Sequence, residues 1–245
     1  MKRIIFGAAL SVLCLACSQD EKEFTNPVQT TTAQFGWRMV SSGDMTRAVT
    51  TGEALAQIRA LLPTNEELNR TGINLTELSN QQNVNVSLGQ TYTLRTGDYA
   101  CVYEYKRNGL SYTGYTLNAF PTFTINYTFT ITPETQYYSL PAQYTCAALV
   151  WDATECELSV NELPLNATAQ TGADGTRVIF VYGYADDTAL TLTLTPVDTD
   201  EFRVTQCSVT GADLQLGHYY RLAPQPAKTS AGVTLTLDDF TEGTL

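Results

Sequence analysis

The chain is expected to fold as an all-β protein built of antiparallel sandwiches, and three observations predict it. Residues 122–131 read Thr-Phe-Thr-Ile-Asn-Tyr-Thr-Phe-Thr-Ile, apolar at every odd position and polar at every even one. Period two puts Phe123, Ile125, Tyr127, Phe129 and Ile131 on one face of a strand, where all five are expected to be buried. The composition is low in charge (16%) and includes 14 Tyr; with the frequent Thr, that suits a pleated, half-buried surface. Short apolar runs recur along the chain, separated by turn chemistry such as Gly172-Ala173-Asp174-Gly175 and Asp186-Asp187, the spacing of sandwich strands.

In chain order, the first element is an export signal. Met1-Lys2-Arg3 supplies the positive start, the run from Ile4 to Leu15 is apolar, and small Ala16 precedes Cys17. A helix spans a bilayer with about 20 apolar residues, so residues 1–16 read as a cleaved signal rather than a span. Cleavage between Ala16 and Cys17 leaves Cys17 to be lipidated. Stable anchoring takes more than one acyl chain, and the bacterial modification attaches a diacylglycerol, usually with a further acyl group such as palmitate. Residues 17–47 then read as a lipidated tether, in which Ala33-Gln34-Phe35-Gly36-Trp37-Arg38 has the makings of a short strand. Arg47 stands in this linker just ahead of the folded body, so the bond from Arg47 to Ala48 is an exposed protease target.

One short helix follows. Thr50 and Glu53 form a capping box, Leu55, Ile58, Leu61 and Leu62 share a face, and Pro63 stops it. Thr64 and Glu67 are placed to cap one more turn, to about Leu68. Strands are expected at 91–94, 99–105, 122–131, 143–151, 157–160, 176–184, 188–195, 202–209, 218–222 and 232–237. A break near residues 133–141 suggests two sandwiches in series, 48–135 and 136–245. Cys101, Cys146, Cys156 and Cys207 lie in this body; an extracytoplasmic address allows disulfides. Cys146 and Cys156 are placed to close a hairpin, and buried thiols are the alternative.

A formal charge of −11 and a pI near 4.4 argue against a nucleic-acid partner, since phosphate would go unneutralised. The single histidine, His218, cannot build a multi-histidine metal site, and H-E-x-x-H and G-x-S-x-G do not occur. No carboxylate pair stands in a glycosidase-like motif, and Asp198, Asp200 and Glu201 lack calcium-loop spacing and read as a solvated turn. No catalytic residue, metal or cofactor is therefore assigned, and the chain is not read as an enzyme. Trp37, Trp151, Tyr137-Tyr138 and Tyr219-Tyr220 suit a core. If exposed they would stack on sugars, the mark of a lipid-anchored surface glycan-binding protein, which is the alternative reading.

Several elements agree in order with a known family. They are the Leu15-Ala16-Cys17 lipobox, the acidic run Ser18-Gln19-Asp20-Glu21-Lys22-Glu23, and the Thr46-Arg47-Ala48 step. Leu94-Arg95-Thr96-Gly97-Asp98-Tyr99-Ala100-Cys101-Val102-Tyr103 and Leu216-Gly217-His218-Tyr219-Tyr220-Arg221-Leu222 agree as well, with Phe240 where members often carry Trp. Together they resemble the fimbrillin family, the type V pilus proteins of Bacteroides-type bacteria. The acidic run resembles the tag that sends their lipoproteins to the outer face of the outer membrane. The resemblance implies two transthyretin-like sandwiches and a structural, adhesive role. It also implies cleavage at Arg47 that removes the first strand, and a donor strand from another pilus subunit filling the groove by β-augmentation. The tail 224–245, with alternating Val233, Leu235 and Leu237, is the candidate donor, or else the last strand of its own sandwich. Beyond pilus subunits and the membrane lipid, host or polysaccharide ligands are the implied partners. Asp187-Thr188-Ala189 resembles the O-glycosylation site of these bacteria.

Overall fold

The computed structural model describes residues 28–40, 53–165, 168–172, 174–226 and 236–239. The chain begins with β1 (Thr30–Met39), α1 (Glu53–Ala60) and α2 (Asn65–Thr71), then β2 (Ile73–Glu77), β3 (Gln82–Val86), β4 (Thr91–Arg95) and β5 (Gly97–Tyr105). A small hairpin, β6 (Leu110–Tyr112) and β7 (Tyr115–Asn118), precedes β8 (Phe123–Ile131) and β9 (Tyr137–Tyr144). Next come β10 (Ala147–Asp152), β11 (Cys156–Val160), β12 (Leu163–Pro164), β13 (Gln170–Thr171), β14 (Thr176–Tyr182) and β15 (Ala189–Pro196). The described chain closes with β16 (Phe202–Arg203), β17 (Thr205–Thr210), a 3-10 turn (Gly211–Asp213), β18 (His218–Leu222), β19 (Gln225–Pro226) and β20 (Thr236–Asp239). The fold is all-β, of antiparallel sandwich type.

The same pairing scheme occurs twice. In the first half, β3-β2-β5-β8 make one leaf and β9-β1-β4 the other, joined at the β8–β9 corner by only three residue pairs, Phe123–Tyr144, Thr124–Gln143 and Ile125–Ala142. In the second half, β12-β11-β15-β17 correspond to the first leaf and β18-β10-β14 to the second. In each half the first strand lies parallel to a late one, β1 to β9 and β10 to β18, and antiparallel to another on its other side, β4 or β14. Besides short β13 on β14 and the β16–β19 pair, a hairpin and an edge strand depart from the scheme. The β6–β7 hairpin, which interrupts the first half, bonds to β14 of the second, and β20 adds antiparallel to the outer edge of β18.

Each half closes over its own core. Ala33, Phe35, Leu75, Tyr99, Phe123, Ile125, Phe129 and Leu140 fill the first. Leu149, Trp151, Leu158, Ile179, Val181, Leu192 and Leu222 fill the second. A third layer lies on the opposite face of the β10–β14 sheet, where Ile58 of α1 is fully buried with Val178, Phe180, Ala148 and Tyr219, and Leu61, Leu62 and Met39 pack against it.

Several expectations need correction. The strand expected over 143–151 is two, because Thr145 and Cys146 carry the chain from the first sheet to the second while Thr145 N–H donates to Thr122 C=O (2.9 Å). By its hydrogen bonds β9 goes with the first half, although the expected boundary at 135/136 put it in the second. The single helix is a pair, since the Thr64 box starts a second one: Glu67 N–H donates to Thr64 Oγ1 (3.3 Å) and Thr64 N–H to Glu67 Oε2 (2.9 Å). The Thr50–Glu53 box lies outside the described residues. Of the five odd-position residues of β8, four are buried and Tyr127 is 39% exposed. Its ring stacks on Phe129 (5.7 Å), which, farther along β8, is itself buried against Tyr138 (5.4 Å).

Glu67 ties α2 to the first half. It forms an ion pair with Arg107, whose guanidinium lies 3.9 Å over the Phe120 ring and donates to Tyr105 Oη (2.7 Å). The Thr64 backbone N–H, then the Arg107 charge, hold the Glu67 carboxyl below its ordinary value of 4.5. A depressed carboxyl contributes stability that is present above the unfolded value and lost as pH falls through the folded one. The melting temperature is therefore expected to drop on acidification, and Glu67→Gln to flatten part of that drop. An unchanged pH profile in the variant would contradict this.

Candidate functional site

The structure makes a full strand of what the sequence shows as a possible short one inside the tether. β1 is ten residues long and lies between two partners. Its first half, Thr30 to Gln34, pairs antiparallel with β4, and its second half, Gln34 to Met39, pairs parallel with β9. Main-chain bonds extend the seat at both ends, from Thr96 N–H to Gln29 C=O (2.8 Å) and from Val40 N–H to Ala142 C=O (2.8 Å).

Its odd positions face the core. Ala33 and Phe35 are fully buried. Phe35 meets Tyr138 (5.7 Å), Phe129 (6.1 Å) and Tyr92 (6.5 Å), so one side chain joins both leaves. Trp37 stacks on Phe123 at 5.0 Å and donates from Nε1 to Asn65 Oδ1 (3.1 Å). Full burial of a large apolar side chain contributes about 1.5–3 kcal/mol; Phe35 is buried to that extent, and half-buried Trp37 and Met39 each add a part of it. Whole domains are stable by only about 5–15 kcal/mol. The first half therefore depends on having a strand in this slot, and an emptied slot would present the free edges of β9 and β4 beside an apolar trough.

The residues that would control β1 lie outside the described residues: Ala16, Cys17, Arg47 and Ala48. Of the tail, Thr236–Asp239 are described, and they occupy the edge of β18 within their own chain. The structure thus shows that part of the tail as the closing strand of its own sheet rather than as a free donor.

The four cysteines in the body are free thiols, so the hairpin bridge between Cys146 and Cys156 is not formed. Cys146 Sγ lies beside the Thr122 backbone in the layer under α1, whereas Cys156 belongs to the second core, with Sγ 3.8 Å from Asp152 C=O. Burial pushes the thiols up, Cys101 and Cys156 to about 11 and Cys146 to about 12. Thiols raised in this way contribute stability that is present below the ordinary value of 9.0 and lost as pH rises through the folded values. In the native protein a thiol reagent is expected to label Cys207 ahead of these three, and all four to label together once urea unfolds the chain; peptide mass mapping reads the order. Early labelling of Cys146 would show the layer under α1 to be open.

The aromatic candidates for sugar stacking mostly fill cores. Trp151 is 1% exposed, Tyr219, Tyr220 and Tyr138 are buried, and only Tyr137, at 57%, stands out on the surface. Asp198 Oδ1 accepts from the N–H groups of Asp200 (2.9 Å) and Glu201 (3.1 Å), which makes that acidic run a self-capped turn. His218 opens β18, half-buried, with Nδ1 3.2 Å from Leu216 C=O. Thr188 Oγ1, in the glycosylation-like triplet, is engaged by Ala185 N–H (3.0 Å) and Gly114 C=O (3.3 Å). Two features had no sequence signal strong enough to name them, the Glu67–Arg107 pair and the β6–β7 strap.

The fold and its slot define an all-β sandwich protein whose first strand is held between two others. No family model and no curated protein matches the sequence. Among solved structures, a candidate cell adhesion protein from Bacteroides uniformis is 12% identical, with a TM-score of 0.39 over 69% of this chain and 91% of that one. Another candidate cell adhesion protein, from Bacteroides fragilis, is 12% identical, with a TM-score of 0.31 over 84% of this chain and 94% of that one. The fimbrial anchor protein Mfa2 from Porphyromonas gingivalis is 8% identical, with a TM-score of 0.27 over 71% of this chain and 90% of that one.

Proposed function

We propose that the chain is a fimbrillin-like pilus subunit, a structural and adhesive lipoprotein of the outer membrane surface, lipid-anchored at Cys17 and without catalysis of its own. One observation carries this reading. β1 is an inner strand of its sheet, hydrogen-bonded on both sides and supplying part of the first core, yet it lies on the amino-terminal side of the Arg47–Ala48 bond. Cutting that bond leaves β1 held only by non-covalent contacts, and a strand of another subunit can then take its place. The exchanged strand recovers both the ladder and the apolar contacts, which is the energetic logic of β-augmentation. The chain before the cut carries the lipid and the chain after it carries the assembly surface, so release and polymerisation become one event. The two sandwiches serve as a rigid spacer between successive joints.

The test is the amino terminus and mass of the protein recovered from its own outer membrane and from shed material. An Ala48 start in high-mass, heat-resistant ladders is expected. An acylated Cys17 on chains that stay intact and monomeric in both fractions would overturn the strand-exchange reading.

A further inference from the structure

Gly36 sits in the middle of β1 between Phe35 and Trp37, a position where glycine weakens a strand. Its backbone is not in the left-handed region, so conformation does not call for it. Space does. On the outer face, the hydroxyl of Tyr137 lies 1.9 Å from where a Cβ on residue 36 would stand, and the ring carbon bearing it lies at 2.8 Å. Tyr137 pairs opposite Gln34 in the parallel β1–β9 register, and its ring leans along the strand over Gly36. Gly36 is consequently buried although it faces outward.

We infer that Tyr137 acts as a register gate on the slot: it selects a strand of small–x–large–Gly–large pattern, as in Ala33-Gln34-Phe35-Gly36-Trp37. This inference rests on the strand-exchange reading and adds which strands the slot accepts. Large inward residues fill the trough, and a side chain at the position between the two largest has to push the exposed end of the Tyr137 ring aside. Any other residue there drives the ring off the strand into water and uncovers the backbone beneath it.

The gate bears on the identity of the donor. The chain's own tail reads Thr229-Ser230-Ala231-Gly232-Val233-Thr234-Leu235-Thr236-Leu237. A register that puts Leu235 and Leu237 in the places of Phe35 and Trp37 puts Thr236 under Tyr137. The register that puts Gly232 there sets Ala231 and Val233 in the two largest seats; run the other way, it sets Val233 and Ala231 there and Leu235 in the seat of small, fully buried Ala33. The tail therefore satisfies either the trough or the gate, not both. The slot's occupant after cleavage is a strand of a different subunit that carries glycine between two bulky apolar residues.

Two measurements test this. In the full chain nicked at Arg47, labelled peptides of residues 28–40 are titrated, with and without Gly36→Val, beside a peptide of residues 229–240. The native peptide is expected to bind, and the Gly36→Val and tail peptides about tenfold more weakly or worse. With Tyr137→Ala in the protein, the native and Gly36→Val peptides are expected to bind alike. In the intact chain, Gly36→Val is expected to lower the melting temperature and Tyr137→Ala to recover most of the loss. If the native and Gly36→Val peptides bind the unaltered protein equally, the gate is wrong while strand exchange stands. If no peptide binds, strand exchange falls, and the intact-chain pair alone decides the gate, with absence of rescue overturning it.

Discussion

Phe35→Ala is expected to cost about 3–5 kcal/mol, the usual loss on truncating a buried Phe, and to open the first sandwich before the second. The side chain is fully buried, and its ring meets Tyr138 on the neighbouring strand and Phe129 on the opposite leaf. The cavity would lie in the seam between the leaves, leaving the Phe129–Tyr138 contact (5.4 Å) to bridge them there. The protein has two tryptophans, one against each core: Trp37 stacks on Phe123 in the first and Trp151 lies in the second. Urea unfolding followed by fluorescence in a Trp151→Phe background isolates the Trp37 signal. Its midpoint is expected to fall steeply with Phe35→Ala. A change of under about 1 kcal/mol would mean that β1 contributes little to the first core, and the strand-exchange reading would lose its energetic basis.

Trp151→Ala is expected to be as costly, about 3–5 kcal/mol, but in the second sandwich. Trp151 is 1% exposed on β10, paired with Arg177 of β14 and Leu222 of β18. Its Nε1 has no hydrogen-bond partner among the described residues, and a buried unpaired donor costs about 1–3 kcal/mol. Trp151→Phe deletes that donor while keeping most of the ring, so it should lose far less than the alanine variant. In Trp151→Ala the surviving Trp37 reports on the first half alone. A Trp37 transition unmoved by Trp151→Ala would establish two sandwiches that unfold separately. A transition shifted by the full amount would show one cooperative unit, coupled through the β6–β7 hairpin and α1.

What the sequence made legible follows from the range of the interactions involved. Period-two burial on β8 and the Thr64–Glu67 cap are set by residues within a few positions of one another, and both are present. Tyr127 departs from its pattern between two buried neighbours on the same face, Ile125 and Phe129, and nothing within the strand itself marks it out. The break at Thr145 was hidden inside an unbroken apolar run, since both strands it joins are buried. β1 looked like a fragment because its apolar inward run is short and interrupted by Gly36 and the polar outward residues Gln34 and Arg38, with no local sign that two distant strands flank it. The glycine was itself a signal, as an odd residue in a strand between two aromatics, but its reason stands on Tyr137, about a hundred positions away. The Cys146–Cys156 bridge failed because a ten-residue spacing says nothing of which layer each thiol enters, and here they enter different ones.

The parallel pairing of the first strand with a late one in each half has a mechanical meaning. A pull on the two ends of such a unit drags its first strand one way and the late strand the other, along their length. Because the two run side by side in the same direction, their hydrogen bonds are loaded together in shear, rather than opened one after another as in a hairpin pulled apart at its mouth. β1 and β9 share six paired positions, and β10 and β18 share four. β20 hangs antiparallel on β18, so tension from the carboxyl end would first peel it away before reaching the stronger pair behind it. In the uncut chain the two halves thus present a stiff clamp each, with β20 as the yielding element ahead of the second.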